Sequence, residues 1–210
     1  MTGEPPPWLA VARAAKGFMP DDEGLALHRA GLLAGRSELG PMVEIGTYCG
    51  KSAVYLGAAA RATGCVLFSV DHHHGSEELQ AGWPHHDPDV VDHATGQIDT
   101  LPWARHTVRD AGLDDDVVLV VGESVTAARG WPGPLSLLFI DGGHGEEAAW
   151  ADYRAWAAKV AVGGALAIHD VFADPKDGGQ VPHDIYRAAL RSGEFEESSA
   201  TGSLRLLLRR

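Results

Sequence analysis

The sequence predicts an α/β fold: a doubly wound, mostly parallel sheet of seven strands that ends in an antiparallel hairpin. Three observations predict it. Five short, nearly continuous apolar runs alternate with helical stretches, the pattern of a sheet buried on both faces. Three of those runs lead into acids, at Asp71, Asp141 and Asp170. The last two strand-like runs, Phe195 to Ala200 and Ser203 to Leu208, are joined by only Thr201-Gly202. A two-residue link permits an antiparallel pair and no crossover.

Residues 8–16 and 22–35 read as two helices, the second capped by Asp21 or Asp22 and closed near Gly35. Met42-Val43-Glu44-Ile45 is the first strand, and it runs through Gly46-Thr47-Tyr48-Cys49-Gly50 into an Ala-rich helix lasting to about Thr63. Cys65 to Val70 is the second strand and ends at Asp71. Residues 98–111 are helical, Val117 to Val121 form the third strand, and a short helix spans about 124–130. Leu135 to Ile140 is the fourth strand, followed by Asp141 and a helix over 146–160. Gly164 to Ile168 is the fifth, ending at His169-Asp170, and a helix near 183–192 leads into the hairpin. These boundaries divide the chain into an N-terminal helical cap, 1–39, and a domain, 40–210, interrupted by an insert at 72–97.

The 210 residues carry 17 basic and 29 acidic side chains, a net charge of −12. That balance disfavours nucleic acid or an anionic membrane as partner. The longest apolar runs are about six residues, far below the ~20 of a spanning helix. Met1 to Trp8 shows neither the basic nor the apolar region of a signal peptide. Two cysteines, Cys49 and Cys65, make no disulfide framework. The expected location is the cytoplasm, and the expected assembly a homodimer.

The turn Gly46-Thr47-Tyr48-Cys49-Gly50-Lys51-Ser52 invites a Walker A reading, but that loop needs four residues between its glycines and this one has three. A P-loop nucleotide hydrolase is therefore disfavoured. Asp71 lies 25 residues after Gly46, at the end of the next strand, where a carboxylate can accept the hydrogen bonds of a ribose diol. A glycine turn and a ribose acid without a phosphate clamp suit a nucleoside ligand.

Val43-Glu44-Ile45-Gly46-Thr47-Tyr48-Cys49-Gly50-Lys51-Ser52 resembles motif I of class I S-adenosylmethionine-dependent methyltransferases. Phe139-Ile140-Asp141-Gly142-Gly143-His144, followed by Asp152-Tyr153, Trp156, Gly163-Gly164 and Ala167-Ile168-His169-Asp170, is similar to the small O-methyltransferases of the macrocin and catechol types, and to a cephalosporin-hydroxylase relative. The resemblance covers roughly residues 40–208 and implies a Rossmann-like sheet. It also implies S-adenosylmethionine as cofactor and methyl transfer to a small-molecule acceptor. By matching position Glu44, Gly46, Thr47, Gly50 and Ser52 would hold the methionine end of the cofactor. Asp71 would take the ribose, His72, Glu123 and Ser124 the adenine, and Asp141 would also bind the cofactor.

Methyl transfer from a sulfonium requires an acceptor placed in line and deprotonated. His144, three residues past Asp141, is the candidate general base, with Asp141 and Asp170 beside it as catalytic acids. Asp141, His169 and Asp170 are also candidate ligands for a divalent metal: magnesium, manganese, iron or zinc. A histidine where the family usually has a carboxylate or carboxamide favours the softer of these. The other reaction class open to a His/Asp-rich edge is a metal-dependent hydroxylation.

The insert is the unusual segment. Residues 71–100 hold seven acids, six of the chain's 11 histidines and no Lys or Arg. Its length suggests a lid. Its histidines lack fixed metal-site spacing and read as a solvated polar loop, with two alternatives: a metal site confined to the loop, or closure of one or two of them over the acceptor to complete the Asp141, His169 and Asp170 site. Met19, Trp83 and Trp103 are candidate pocket residues, with Phe18 read instead as a core or dimer contact.

Overall fold

The structure, a computed structural model, describes residues 5–83, 85–143 and 145–210. It opens with helices α1 (Pro7–Ala14) and α2 (Asp21–Arg36), then strand β1 (Met42–Ile45), helix α3 (Lys51–Thr63) and strand β2 (Leu67–Asp71). The insert contributes β3 (Val91–Asp92) and β4 (Gln97–Ile98). After it come α4 (Leu101–Asp110), β5 (Val117–Val121), α5 (Ser124–Arg129), β6 (Leu135–Ile140), α6 (Glu146–Trp156), β7 (Val160–Ile168), α7 (Val181–Arg191), β8 (Phe195–Thr201) and β9 (Leu204–Arg209).

The main sheet has the order β5-β2-β1-β6-β7-β9-β8. Its first five strands are parallel, and β9 and β8 join antiparallel. This is the doubly wound, seven-stranded sheet with a closing hairpin that the sequence predicts. The order reverses between β1 and β6, which places a ligand crevice outside the carboxyl ends of these strands.

Each sheet face has its own apolar layer. On one, Leu27, Tyr55 and Leu56 pack from α2 and α3 against Met42, Leu67 and Phe139. On the other, Trp156, Val160 and Ile185 pack against Val43, Leu138 and Leu166. The cap helices belong to the first layer. Gly24 and Gly31 of α2 let it approach closely, since a Cβ on either would run into Tyr55 or Ala59 of α3.

Some boundaries move for identifiable reasons. Helix α2 begins at Asp21 with Pro20 in the capping position and no side-chain cap. Asp21 instead binds Arg13 at 2.5 Å and the Tyr55 hydroxyl at 3.0 Å. Strand β2 starts only at Leu67, because the Cys65 N–H closes α3 on the Ala60 carbonyl. Strand β7 starts four residues earlier than expected, through a register shift opposite Leu135 and Leu137. At the end of the insert β3 and β4 pair antiparallel, and Val90 and Ile98 cover Cys49. Among the described residues, no helix is long and apolar enough to cross a membrane.

Candidate active site

The glycine turn after β1 is closed by the strand beside it. Asp71 Oδ2 accepts the backbone N–H groups of Thr47 and Tyr48, each at 2.9 Å, and Oδ1 accepts that of His73 at 2.7 Å. A carboxylate has about four lone-pair sites, so roughly one remains for a ligand hydroxyl. Gly46 has φ +94°, and a Cβ there would strike the Asp141 carbonyl. Only glycine lets the exits of β1 and β6 come this close.

Behind the turn the Thr47 hydroxyl donates to Ser69 at 2.6 Å, and Ser69 donates to Glu44. Glu44 is fully buried. Burial first, then the charges of Asp141 and Asp71, push its carboxyl up to about 8. Gly46, Thr47 and Ser52 face the cleft, while Glu44 stands one layer behind it. Gly50, at φ +89°, packs toward Thr107 and Ala104 of α4.

Beyond the turn, at the ends of β2 and β5, His72, Glu123 and Ser124 line the cleft. The Ser124 hydroxyl donates to Asp152, whose carboxyl is raised by burial and by Glu123 against the pull of that bond. Asp152 also lines the cleft. The sequence shows it only as part of the Asp152-Tyr153 motif, with nothing local to mark it as a site residue.

At the opposite wall, Asp141, His169 and Asp170 come together. Each offers one ligand atom, and these atoms lie within 4.8 Å of one another. His169 Nδ1 is 2.9 Å from Asp141 Oδ1 and 3.5 Å from Asp170 Oδ1. The other ring nitrogen, Nε2, donates to Glu23 Oε2 at 2.5 Å. Glu23 is 3% exposed and comes from the first turn of α2; nothing in the sequence links it to this site. Burial opposes charge on His169, but Asp141, then Glu23 and Asp170, outweigh it and raise the imidazole to about 11. Asp170 adopts φ +53°, an unusual conformation for a non-glycine residue.

His144 lies outside the described residues; Gly143 and Gly145 on either side of it line the cleft. The cleft itself is about 1150 Å³ and runs from Glu123 to Phe172. Its rim joins the cap to the insert. Phe18, 60% exposed, lies 5.7 Å from the Tyr48 ring and 5.2 Å from that of His85. Met19 and Trp83 also line the cleft, whereas Trp103 stacks under Lys16 at 5.1 Å. Phe18 is therefore a cleft residue and not part of the core.

In fold the chain is similar to the O-methyltransferase TomG from Streptomyces achromogenes in complex with SAM (TM-score 0.65, 14% identity, 99% of this chain and 91% of that one). It is similar likewise to cofactor-bound Rv0187 from MTB (0.64, 19%, 100% and 92%), and to the O-methyltransferase from Bacillus cereus in complex with SAH (0.63, 16%, 96% and 87%). At these identities the likeness is one of fold. The family profile of the methyltransferase domain matches residues 43–171, which takes in the glycine turn, Asp71, Asp141 and the His169-Asp170 pair. More than half of the chain is matched, and the chain belongs to the family of methyltransferase domains.

Proposed function

We propose that this methyltransferase draws its methyl group from S-adenosylmethionine and delivers it to a hydroxyl oxygen of a small molecule. One observation carries the reading: a single cleft has the Gly46–Asp71 turn on one side and the Asp141–His169–Asp170 group on the other. Its volume exceeds the 300–1,000 Å³ or so of a typical single-ligand pocket, leaving room for a nucleoside cofactor and an acceptor together.

The residues fit the cofactor in this way. Asp71 has a lone pair for a ribose hydroxyl, His72 and Ser124 flank an adenine, and Thr47 and Ser52 face the methionine end. A divalent metal also fits: Asp141 and Asp170 offer oxygen, His169 Nδ1 would offer nitrogen once the metal displaces its proton, and Glu23 holds the far side of the ring. Carboxylate support behind a histidine ligand is a recurrent feature of metal sites. Bound there, a divalent metal would lower the pKa of an acceptor hydroxyl and orient it.

The rest of the work falls to the chain. Phe18, Trp83 and Phe172 exclude water from the acceptor, and Asp170, set by its left-handed backbone, presents a carboxylate toward it. His144, three residues past Asp141, is assigned the acceptor proton. The cap of residues 1–39 and the insert of 72–97 supply the acceptor side. Two free cysteines suit a reducing compartment such as the cytoplasm. The assembly is read as a homodimer, to be measured by light scattering.

The test is turnover with methyl-labelled S-adenosylmethionine and a panel of phenols, catechols and sugar hydroxyls. Labelled methyl ether with equimolar S-adenosylhomocysteine supports the reading. An oxidised product without S-adenosylhomocysteine would instead establish the metal-dependent hydroxylase.

A further inference from the structure

We propose that Glu23 is a positioning residue of the active site: it orients His169 so that Nδ1 faces Asp141 and Asp170. The role of that face rests on the reading above; the orientation itself does not. Glu23 sits in the cap, 146 residues before its histidine partner, and it also holds the hairpin turn. Its Oε1 accepts the Ser203 N–H at 2.6 Å, and its Oε2 accepts the Ser203 hydroxyl at 3.2 Å. Ser203 in turn lies 3.5 Å from Asp170 Oδ1, and the Val171 N–H donates to the Ser203 carbonyl.

A ring of side chains is thus closed through His169, Glu23, Ser203 and Asp170, and Asp141 joins it at Nδ1 of the histidine. A buried histidine with one nitrogen bound could still rotate about its side-chain bonds. With Nε2 held by Glu23 the ring has one orientation, and the nitrogen that faces the cleft is settled. Gly202 shows how closely the carboxylate is seated. A Cβ there would fall on Glu23 Oε1, and the residue has φ +52°. The turn carries no side chain at the one place where Glu23 needs the room.

Four variants test this. Glu23→Gln keeps the shape and removes the charge, Glu23→Asp shortens the reach, and Gly202→Ala displaces the carboxylate without altering its chemistry. Asp22→Asn, exposed in the same helical turn, is the control. Metal-free protein labelled with ¹⁵N-histidine is read first by NMR. The His169 Nε2–H should be a far-downfield proton in wild type and in the control, and should move upfield in the other three. Manganese titration followed by electron paramagnetic resonance should then show affinity falling about 10- to 100-fold in Glu23→Gln. Affinity for S-adenosylhomocysteine should stay within about twofold, which separates positioning from collapse of the fold. An unmoved His169 resonance in Glu23→Gln and Gly202→Ala overturns the proposal, as does unchanged manganese affinity in both. Wild type that takes up no manganese refutes the metal reading alone, and the ring-proton result still decides the role of Glu23.

Discussion

Lys16 ties the cap to the insert, and cutting it should open the cleft on the acceptor side alone. Its ammonium lies 2.7 Å from Asp87 Oδ2, 2.8 Å from Asp89 Oδ2 and 5.1 Å from the centre of the Trp103 ring. The Asp87 pair is about three-quarters buried on both sides, whereas Asp89 is 65% exposed. Half-screened pairs contribute up to ~1 kcal/mol and exposed ones a few tenths. The cation–π contact is to α4 and survives opening of the insert, so it adds nothing to the latch. The latch is therefore worth about 0.5–1.3 kcal/mol, or about 2- to 9-fold in the opening equilibrium. Lys16→Met keeps the aliphatic stem and removes the charge. Hydrogen exchange of amides 86–93 should accelerate by that factor, and the acceptor KM should rise while S-adenosylhomocysteine affinity holds. Wild-type protein in ~1 M salt, where the Debye length is about 3 Å, should move part of the way. Unchanged exchange in Lys16→Met would refute the latch.

Gly46→Ala places a methyl group against the Asp141 carbonyl at a left-handed φ. It should cost about 2–4 kcal/mol in urea unfolding and abolish S-adenosylhomocysteine binding by calorimetry; wild-type values in both would contradict the packing described. His73 should make the fold sensitive to acid. It binds the Thr100 hydroxyl at 2.8 Å, and burial, against Asp71 and Asp99, holds it below its ordinary 6.5. The unfolded chain then binds more protons below about pH 6.5, so stability is full above that value and falls as pH drops through it. His169 runs the other way in metal-free protein: its contribution is full below 6.5 and is lost as pH rises through about 11. His73→Gln should flatten the acid limb of a stability profile, and an unaltered slope would clear His73. His144→Ala and Asp170→Ala should each abolish transfer with cofactor affinity intact, and near-wild-type turnover in both would remove their assigned roles.

The strands of the parallel sheet are legible because each is a short apolar run, and the hairpin because two residues allow no other connection. Asp71, Asp141 and Asp170 are legible because they follow strands, where an acid at a sheet's carboxyl edge has a geometric meaning. Glu23 is not. An acid in the first turn of a helix already has an ordinary explanation in the helix dipole, and Asp21, Asp22 and Glu23 stand there together. Which of the three turns inward depends on the packing of α2 against α3. Asp21 reads as a cap for the same reason, until Tyr55 and Arg13 claim it. The insert misleads in the opposite direction: its polar composition hides Val90 and Ile98, two apolar residues that anchor it over Cys49.

These two kinds of residue differ in how the chain builds the two halves of the cleft. The turn side of the cleft, proposed for the cofactor, has a nearly contiguous centre: Thr47, Ser69, Asp71 and His73 lie within 27 residues and bind one another directly, with Glu123, Ser124 and Asp152 joining them from later in the chain. The opposite wall, proposed for the acceptor, is assembled from segments that meet only in the folded protein, Lys16 to Glu23, Asp141 onward, His169-Asp170 and Gly202-Ser203. Pairing of β9 with β7 sets Arg205 opposite Ile168, which brings the hairpin turn beside His169, and α2 closes over both. Glu23 and Ser203 both fall outside the 43–171 match. Substitutions in the cap or the hairpin turn should therefore change acceptor kinetics and the His169 environment while cofactor affinity holds. Substitutions between 44 and 73 should do the reverse. A cap variant that weakened both equally would mean that the halves are mechanically one, and that the separation drawn from their contacts is not real.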